Sequence, residues 1–526
     1  MTTEPILLAG RWQAGTPFGQ FRAVNPANGE ALAPAFPRSG AADIEQMVAA
    51  AAQAADALAA TPPERIAAFL EAYADAIDAA KDALVAGAHE ETALPVAPRL
   101  ADVELPRTTG QLRQAAQAVR SHAWTHPVID TRAGLRSHFA PLHKPVLVLG
   151  PNNFPLAFNA VAGSDFASAI AARNPVIAKA HPSHPATSRR LAELAHVAAL
   201  ASGLPAATVQ MFYDVEPALG LRLAGDRRIG AIGFTGSRGA GLALKAAADA
   251  SGIPIYAEMS SVNPVFLLPG ALRERGAALA QDFFASCTLG SGQFCTNPGI
   301  VLVPTGADGD AFVAQAAQKF AAAAPMVLFS AGVQGHLANA VQALRGAGAR
   351  VAGGAADTAG PGSRYAPTLL EVDAASFLAR AGALQQEAFG PVSLLVRFSG
   401  TDEAVALARS FDGNLTGTLH AAADGSDDAA WAAVAAALRP RVGRLIADKW
   451  PTGVSVSAAQ QHGGPYPSTS HAGFSAVGMP GAIRRFAQLQ SYDNLRDDRL
   501  PIELRDANPA GVQRCVDGLW TERALA

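Results

Sequence analysis

The chain has 526 residues, 50% hydrophobic and 16% charged, so it has ample apolar material for several packed domains. Its net charge of −3 argues against nucleic acid as the main partner, because proteins that bind the phosphate backbone are normally basic. Three cysteines are too few for a disulfide framework and indicate a reducing compartment. Without a signal-peptide pattern or an apolar stretch long enough to span a membrane, we expect a cytoplasmic protein with no membrane contact.

The first strong helix signal lies at Thr61-Pro62-Pro63-Glu64. Thr61 is a candidate N-cap, proline suits the first turn, and Glu64 completes a capping box. The apolar residues that follow share one helical face down to about Gly87, and they are Ile66, Phe69, Leu70, Tyr73 and Ile77.

From residue 145 onward, short apolar strands alternate with helices, which predicts parallel sheets and an α/β fold. The predicted strands are 145–151, 174–180, 209–213, 229–236, 253–259, 263–269, 299–304 and 391–398. The predicted helices are a stretch ending at Ala172, then 187–202, 216–224, 238–250, 272–288 and 308–323. Segments 124–140 and 462–481 interrupt this alternation and are predicted to be extended.

The strongest chemical feature is the segment GSGQFCTN, residues 290–297. A cysteine is usually a small buried hydrophobe, and we interpret Cys287 and Cys515 in that way. Cys295 instead lies in a loop of small and amide residues between a predicted helix and a predicted strand, where backbone N–H groups can stabilise a thiolate. The pattern makes Cys295 a candidate nucleophile, with a buried structural cysteine as the alternative.

Two further segments carry weaker signals. Glu258 closes an apolar strand, where a carboxyl would have a raised pKa and could act as a base; a structural, salt-bridged glutamate is the alternative. The turn FTGSRGAG, residues 234–241, places small residues at a helix N-terminus that can bind phosphate, although many such turns bind nothing. The histidines have no metal-site spacing, so no metal site is predicted.

Taken together, six segments in this chain order resemble the signatures of the aldehyde dehydrogenase superfamily. They are GPNNFP (150–155), VIAK (176–179), GFTGS (233–237), the Glu258 segment, GQFC (292–295) and QEAFGP (386–391). The segments GQFCTNPG, EMSSVNP and QHGGPYPSTS are most similar to an NADP-type branch that includes 2,5-dioxopentanoate dehydrogenases and a long-chain aldehyde dehydrogenase. The chain departs from the common pattern at Ser260-Ser261-Val262, at Gln386, and in lacking a C-terminal SGxGRE signature.

The resemblance implies that a thiolate adds to an aldehyde, that hydride passes to a nicotinamide, and that the resulting thioester is hydrolysed. It makes Cys295 the nucleophile, Asn153 an oxyanion donor together with the Cys295 N–H, and Glu258 the base. The cofactor residues that it implies are Lys179, Gly236, Ser237, Glu387 and Phe389.

The same resemblance favours NADP, with NAD possible. NAD-selective members carry a glutamate three residues after the cofactor lysine, and here that position is Pro182. Without a carboxylate to repel a 2′-phosphate, Lys179, aided by His181 or Ser183, would attract it.

For the substrate, the resemblance favours an aldehyde with a remote carboxylate, above all 2,5-dioxopentanoate. The alternative is a fatty aldehyde, because a helix after Asn153 would line the aldehyde tunnel with the apolar Phe154, Phe158 and Val161. His462, on a glycine-rich loop, is a candidate for tuning Cys295 or lining this pocket; a loop histidine bonded to backbone is the alternative.

The implied architecture has a Rossmann-like cofactor domain (1–123 and 143–256), an α/β catalytic domain (257–461) and a small β oligomerisation element (124–142 and 462–496). Exposed strand edges in that element predict a homodimer or homotetramer. A non-catalytic, structural member of the fold is disfavoured because Cys295, Glu258 and Asn153 are all present. A dehydrogenase that transfers the acyl group to coenzyme A would not need Glu258.

Overall fold

The computed structural model describes residues 3–354 and 360–525. Within these residues the chain forms two seven-stranded sheets, one five-stranded sheet and two two-stranded ribbons, surrounded by helices. The predicted α/β fold class is confirmed. None of the helices in this part of the chain combines the length and the apolar character needed to cross a membrane.

The first sheet positions most of the predicted site. Its strands, in spatial order, are Ile255–Glu258, Ala231–Thr235, Val146–Leu149, Val176–Lys179, Val209–Phe212, Ile6–Leu8 and Arg11–Gln13. The first five strands are parallel, and their register aligns Glu258 with Thr235 and Lys179 with Leu149. The carboxyl ends of these strands therefore meet along one edge, which is where ligands bind in open parallel sheets.

The second sheet forms the core of the other half of the molecule. Its strands, in spatial order, are Arg350–Gly354, Thr368–Asp373, Val392–Phe398, Ile300–Pro304, Val265–Leu267, Asn414–His420 and Val442–Ala447. All but the first are parallel. Strand Ile300–Pro304 follows the Cys295 loop directly, so this sheet anchors the candidate nucleophile.

The third sheet differs in membership from the predicted β element. Its strands are Ala487–Asp493, Leu135–Pro141, Val128–Asp130, Arg514–Val516 and Leu519–Thr521. The C-terminal segment supplies two of these strands, which the sequence analysis left out. Residues 462–481 lie outside the sheet and pack against the end of strand Ile255–Glu258, where Thr469 pairs with Glu258. The ribbons pair Pro17–Val24 with Ala31–Ser39 and Met326–Val327 with Arg364–Tyr365.

The α-helices in the first half of the chain are Ala41–Ala59, Pro63–Ala79, Lys81–Thr92, Leu105–Arg120, Ser164–Ala171, Pro185–Ala201, Pro217–Ala224 and Arg238–Asp249. Those in the second half are Pro269–Thr288, Ala307–Ala322, Ala331–Gly346, Ala374–Ala379, Ala381–Leu384, Gly400–Ser410 and Asp428–Leu438. An irregular helical segment, Val96–Glu104, precedes Leu105–Arg120.

Two helix predictions are wrong in detail. Thr61 does not cap the helix that begins at Pro63, because its hydroxyl donates to the Ala57 carbonyl at the end of the preceding helix. The predicted stretch ending at Ala172 is helical only from Ser164; residues 151–163 form turns. The apolar face predicted for helix Pro63–Ala79 is confirmed, since all five of its residues are fully buried.

Candidate active site

Cys295 lies in the predicted loop between helix Pro269–Thr288 and strand Ile300–Pro304. Gly290, Ser291 and Gly292 all have left-handed backbone conformations, with φ of 56°, 60° and 70°. A Cβ atom on Gly292 would lie 2.1 Å from the Gly390 carbonyl oxygen. Glycine is therefore required at this position, because the nucleophile loop passes directly against the 387–391 segment.

Side-chain amides hold this loop in place. The Asn263 amide donates to the carbonyls of Cys295 (2.9 Å) and Asn297 (2.8 Å). The Asn153 amide donates one N–H to the Gln293 carbonyl at 3.0 Å. This bond fixes the orientation of Asn153 and leaves its second N–H for another acceptor.

Cys295, His462 and Glu258 form one compact cluster. His462 Nε2 lies 3.5 Å from Cys295 Sγ and 2.9 Å from Glu258 Oε1, and the three polar atoms all lie within 4.8 Å of one another. The other carboxylate oxygen of Glu258 is buried and has no hydrogen-bond partner among the described residues. Of the two predicted alternatives for His462, the geometry favours tuning of Cys295, because the ring contacts the nucleophile and the base.

The pKa values of Glu258 and Cys295 shift in directions that differ from the predicted ones. Burial raises the pKa of Glu258, but the charge and hydrogen bond of His462, with smaller contributions from Cys295 and Arg485, bring it below its usual value. Burial raises the pKa of Cys295 well above that of an ordinary thiol, and the Glu258 carboxylate raises it further. The predictions of a raised Glu258 pKa and of a stabilised thiolate at Cys295 are therefore wrong in direction.

The predicted aromatic residues pack beside this cluster, but not as a helical face. Phe154, Phe158 and Phe294 form a separate apolar group, with Phe154 5.1 Å from Phe158 and 5.5 Å from Phe294 between ring centroids. Val161 is fully buried in the main core of the first half of the chain. The prediction that Val161 lines the tunnel is wrong because residues 151–163 turn and do not form a helix.

Two arginines that the sequence analysis did not single out lie against these rings. The guanidinium of Arg99 stacks on Phe154 at 4.4 Å and pairs with the buried Glu104. The guanidinium of Arg107 lies 4.9 Å from Phe158, and Nη1 donates to the Val454 carbonyl. Arg107 Nε and Nη2 are buried without a partner among the described residues, and no described carboxylate pairs with Arg107. Its charge reaches the nucleophile, since it lowers the pKa of Cys295 in part.

Seven of the predicted residues line one cavity of about 540 Å³. They are Asn153, Gly236, Ser237, Glu258, Cys295, Glu387 and Phe389. An adjoining cavity of about 470 Å³ shares Gly236 and Ser237 and extends to Lys179, with apolar walls that include Leu149, Phe212 and Leu244. This pair of cavities fits the predicted dinucleotide: the N-terminus of helix Arg238–Asp249 separates an apolar chamber from the chamber that contains Cys295.

Burial shifts the pKa of two residues that line these cavities, Glu387 and Lys179. Glu387 receives hydrogen bonds from Ser260 and the Ser261 backbone, but burial raises its pKa to about 7. Burial also lowers the pKa of Lys179, while Asp214 acts in the opposite direction. Lys179 Nζ lies 3.5 Å from Asp214 Oδ1. Position 182 carries no carboxylate, as predicted, but Asp214, which follows strand Val209–Phe212, brings one to Lys179.

The sequence profile of the aldehyde dehydrogenase family matches residues 12–491, nearly the whole chain. The chain belongs to the aldehyde dehydrogenase family. Among curated aldehyde dehydrogenases it is 41% identical to alpha-ketoglutaric semialdehyde dehydrogenase 2 of Azospirillum brasilense, over 98% of this chain and 99% of that protein. It is 36% identical to alpha-ketoglutaric semialdehyde dehydrogenase of Acinetobacter baylyi, over 91% of this chain and 92% of that one.

The fold agrees with this membership. The structure of aldehyde dehydrogenase C from Pseudomonas syringae, solved with NAD+ and octanal, superimposes with a TM-score of 0.79 over 94% of this chain and 97% of that one, at 22% identity. At that identity the likeness shows the aldehyde dehydrogenase fold and leaves ligand choice open.

Sequence reasoning missed four residues of this aldehyde dehydrogenase that shape the site: Arg107, Asp214, Asn263 and Glu104. Glu104 is fully buried and accepts from the backbone N–H groups of Leu156 (2.8 Å) and Ala157 (3.1 Å). Asn263 could have been predicted from the sequence, because it lies in the segment EMSSVNP, which resembles the family pattern. No local pattern singles out Arg107 or Asp214, because each reaches the site from a distant element.

Proposed function

We propose that this protein oxidises 2,5-dioxopentanoate to 2-oxoglutarate through a thioester on Cys295, with a nicotinamide dinucleotide as the acceptor. The observation that carries the proposal is Arg107, a guanidinium with two buried, unpartnered nitrogen atoms that lies 5.5 Å from the Phe154 ring and 4.9 Å from the Phe158 ring. It is the carboxylate-binding group that the sequence could not name.

The Cys295 thiol must lose its proton before it adds to the aldehyde carbon. His462 and Glu258 both lie within reach, and the proton passes to the Glu258 carboxylate directly or through His462 Nε2. The second N–H of Asn153 and the Cys295 backbone N–H stabilise the oxyanion that forms. When bound in the adjoining cavities, the nicotinamide supplies a hydride acceptor. After the thiol proton has passed from Glu258 to solvent, the Glu258 carboxylate removes a proton from the water that hydrolyses the thioester, which releases the acid and regenerates Cys295.

Arg107 explains why the substrate would carry a remote carboxylate. A guanidinium offers two parallel N–H groups to a carboxylate, and Arg107 has both Nε and Nη2 free for this geometry. The neighbouring Arg99 already pairs with Glu104 and donates to the Asn153 carbonyl, so it has a structural partner. The aromatic group of Phe154, Phe158 and Phe294 would pack against the short carbon chain between the two ends of the substrate.

The test compares kcat/KM for 2,5-dioxopentanoate and glutarate semialdehyde with that for pentanal, octanal and decanal. A site that pairs a carboxylate should favour the semialdehydes over pentanal by about a hundredfold or more, because pentanal leaves Arg107 unpaired. Arg107→Met should remove most of this preference while changing pentanal oxidation little. Arg113→Met is the matched control, because Arg113 lies on the same helix but pairs with Asp75 and Asp78 at the surface.

If kcat/KM rises steadily with alkyl length and the semialdehydes are poor substrates, the proposal is wrong and the protein is a fatty aldehyde dehydrogenase. The Phe154 group makes that the second candidate, since each buried methylene adds up to about 0.8 kcal/mol. A further measurement looks for the acid product when no coenzyme A is added. If the acid forms, the thioester is hydrolysed and is not transferred to coenzyme A.

We also propose that the five-stranded sheet mediates homodimer or homotetramer formation. Its outer strands expose apolar side chains, with Leu489 64%, Leu519 74% and Trp520 54% exposed. Among residues 3–354 and 360–525, nothing pairs with the outer edge of either strand, and a second copy would extend the sheet there. Light scattering should give more than one chain per particle, and Leu489→Arg should shift the distribution toward monomer.

A further inference from the structure

Asp214 is a charged group in the cofactor chamber that the aldehyde chemistry does not use. It follows strand Val209–Phe212, and its backbone carbonyl accepts from the Ser39 N–H at 2.8 Å. Its two side-chain oxygens contact two cations: Oδ1 lies 3.5 Å from Lys179 Nζ, and Oδ2 lies 3.2 Å from Arg38 Nε. The side chain is 21% exposed, and it faces the 470 Å³ cavity together with Lys179.

This pair lies where the family resemblance predicts the adenosine ribose. Lys179 is the predicted ribose residue, and the helix N-terminus at Gly236 and Ser237 lines the same cavity. A carboxylate beside the ribose can accept a hydrogen bond from a free 2′-hydroxyl. A 2′-phosphate would bring about −1.5 to −2 charges to the same place, next to a negative group.

The two cations do not reverse this effect. Among the residues described as lining the cavity, Lys179 is the one charged cation, and Asp214 already neutralises it. The Arg38 side chain is 45% exposed, so water and salt screen much of its charge. His181 is stacked on His184, and desolvation, together with the charges of His184 and Lys179, lowers its pKa well below its usual value, which disfavours a positive charge on the ring. The described lining of the chamber therefore has no spare positive charge for a 2′-phosphate.

We propose that Asp214 makes this aldehyde dehydrogenase select NAD over NADP, the reverse of the preference predicted from Pro182. The carboxylate that other family members place three residues after the lysine is supplied here from the next strand of the sheet. This rests on the proposed function only in that the dinucleotide binds in these two cavities.

The test is isothermal titration calorimetry of the full-length protein with NAD+ and with NADP+, without aldehyde. The wild type should bind NAD+ about tenfold or more tightly than NADP+. Asp214→Asn should tighten NADP+ binding by about tenfold and weaken NAD+ binding severalfold, because a charge repulsion is removed and an acceptor is weakened. Asp214→Glu keeps the carboxylate and should keep the NAD preference. Glu216→Gln is the matched control, since it removes one negative charge from an exposed position two residues away.

The outcomes are distinct. A wild type that binds NADP+ as tightly as NAD+, or an Asp214→Asn variant whose Kd ratio stays within twofold of the wild type, would overturn the inference and leave the proposed oxidation standing. A wild type that binds neither dinucleotide would overturn the proposed function itself. If loss of the Arg38 pair unfolds Asp214→Asn, seen as a lowered melting temperature, the wild-type Kd ratio and Asp214→Glu still decide.

Discussion

The two ends of the cofactor cleft hold charged groups in different ways. At the aldehyde end, Glu258 and Arg107 both act on one partly buried thiol, and they shift the pKa of Cys295 in opposite directions. At the adenosine end, Lys179, Asp214 and Arg38 form a partly exposed chain of ion pairs around an open chamber. At the aldehyde end, solvent exposure is low, so each charge changes the reactivity of the Cys295 thiol. At the adenosine end, the charges neutralise one another, so the chamber selects ligands by their charge. Variants at the aldehyde end should therefore change rates, and variants at the adenosine end should change affinities.

The largest effect should come from Cys295→Ala, which removes the nucleophile and should lower aldehyde oxidation by about a thousandfold or more. Cys287→Ala and Cys515→Ala should keep most of the activity, because Cys287 is buried in a core cluster and Cys515 lies in the five-stranded sheet. Dinucleotide affinity should be unchanged in Cys295→Ala. Substantial turnover by this variant would remove the basis for a covalent mechanism.

Glu258→Gln should lower steady-state turnover by about a hundredfold or more, as expected for loss of a general base. Stopped-flow absorbance should still show about one equivalent of reduced cofactor per site in a first turnover, because His462 Nε2 remains 3.5 Å from the thiol as a proton acceptor, whereas thioester hydrolysis loses its base. Unchanged steady-state turnover would show that another group activates the water.

Lys179→Met, at the adenosine end, should change the affinity for the dinucleotide and leave the rate of aldehyde oxidation nearly unchanged. The Kd for the dinucleotide should rise by about tenfold, the size expected for one lost charge-assisted hydrogen bond, whereas kcat at saturating cofactor should stay within about threefold. The rate at which iodoacetamide alkylates Cys295 should not change. A large fall in kcat with an unchanged Kd would contradict the division between the two ends.

The smallest expected effect is on the thiol pKa, and it has opposite signs in two variants. Because Glu258 raises the pKa of Cys295, Glu258→Gln should move the pH profile of alkylation to lower pH; because Arg107 lowers that pKa, Arg107→Met should move the profile to higher pH. Both profiles should be measured in a Cys515→Ala background. In the wild type, kcat/KM should rise with pH above neutrality, since burial and the Glu258 carboxylate raise the pKa of the thiol. Shifts of the same sign in both variants would refute this electrostatic account.

How far the sequence predicts this molecule depends on whether the relevant contacts are local. The strand ends at Lys179 and Glu258 and the loop at Cys295 were predictable, because each occurs in a short segment with its own hydrophobic pattern or glycines. The helix predicted after Asn153 is absent, since residues 151–163 form turns, and a distant helix contacts them there through the Gln111 amide, which donates to the Ala157 carbonyl. Asp214 and Arg107 could not be predicted as site residues, because only the packing of distant elements brings them to Lys179 and to Cys295.

Mass spectrometry can detect the proposed thioester on Cys295 directly. The Glu258→Gln variant is incubated with 2,5-dioxopentanoate and dinucleotide and then quenched with acid. The account predicts one 2-oxoglutaryl group per chain on the peptide that carries Cys295, and none in the variant that also carries Cys295→Ala. Consumption of the aldehyde with no acyl group on Cys295, or with the group on another residue, would contradict the account.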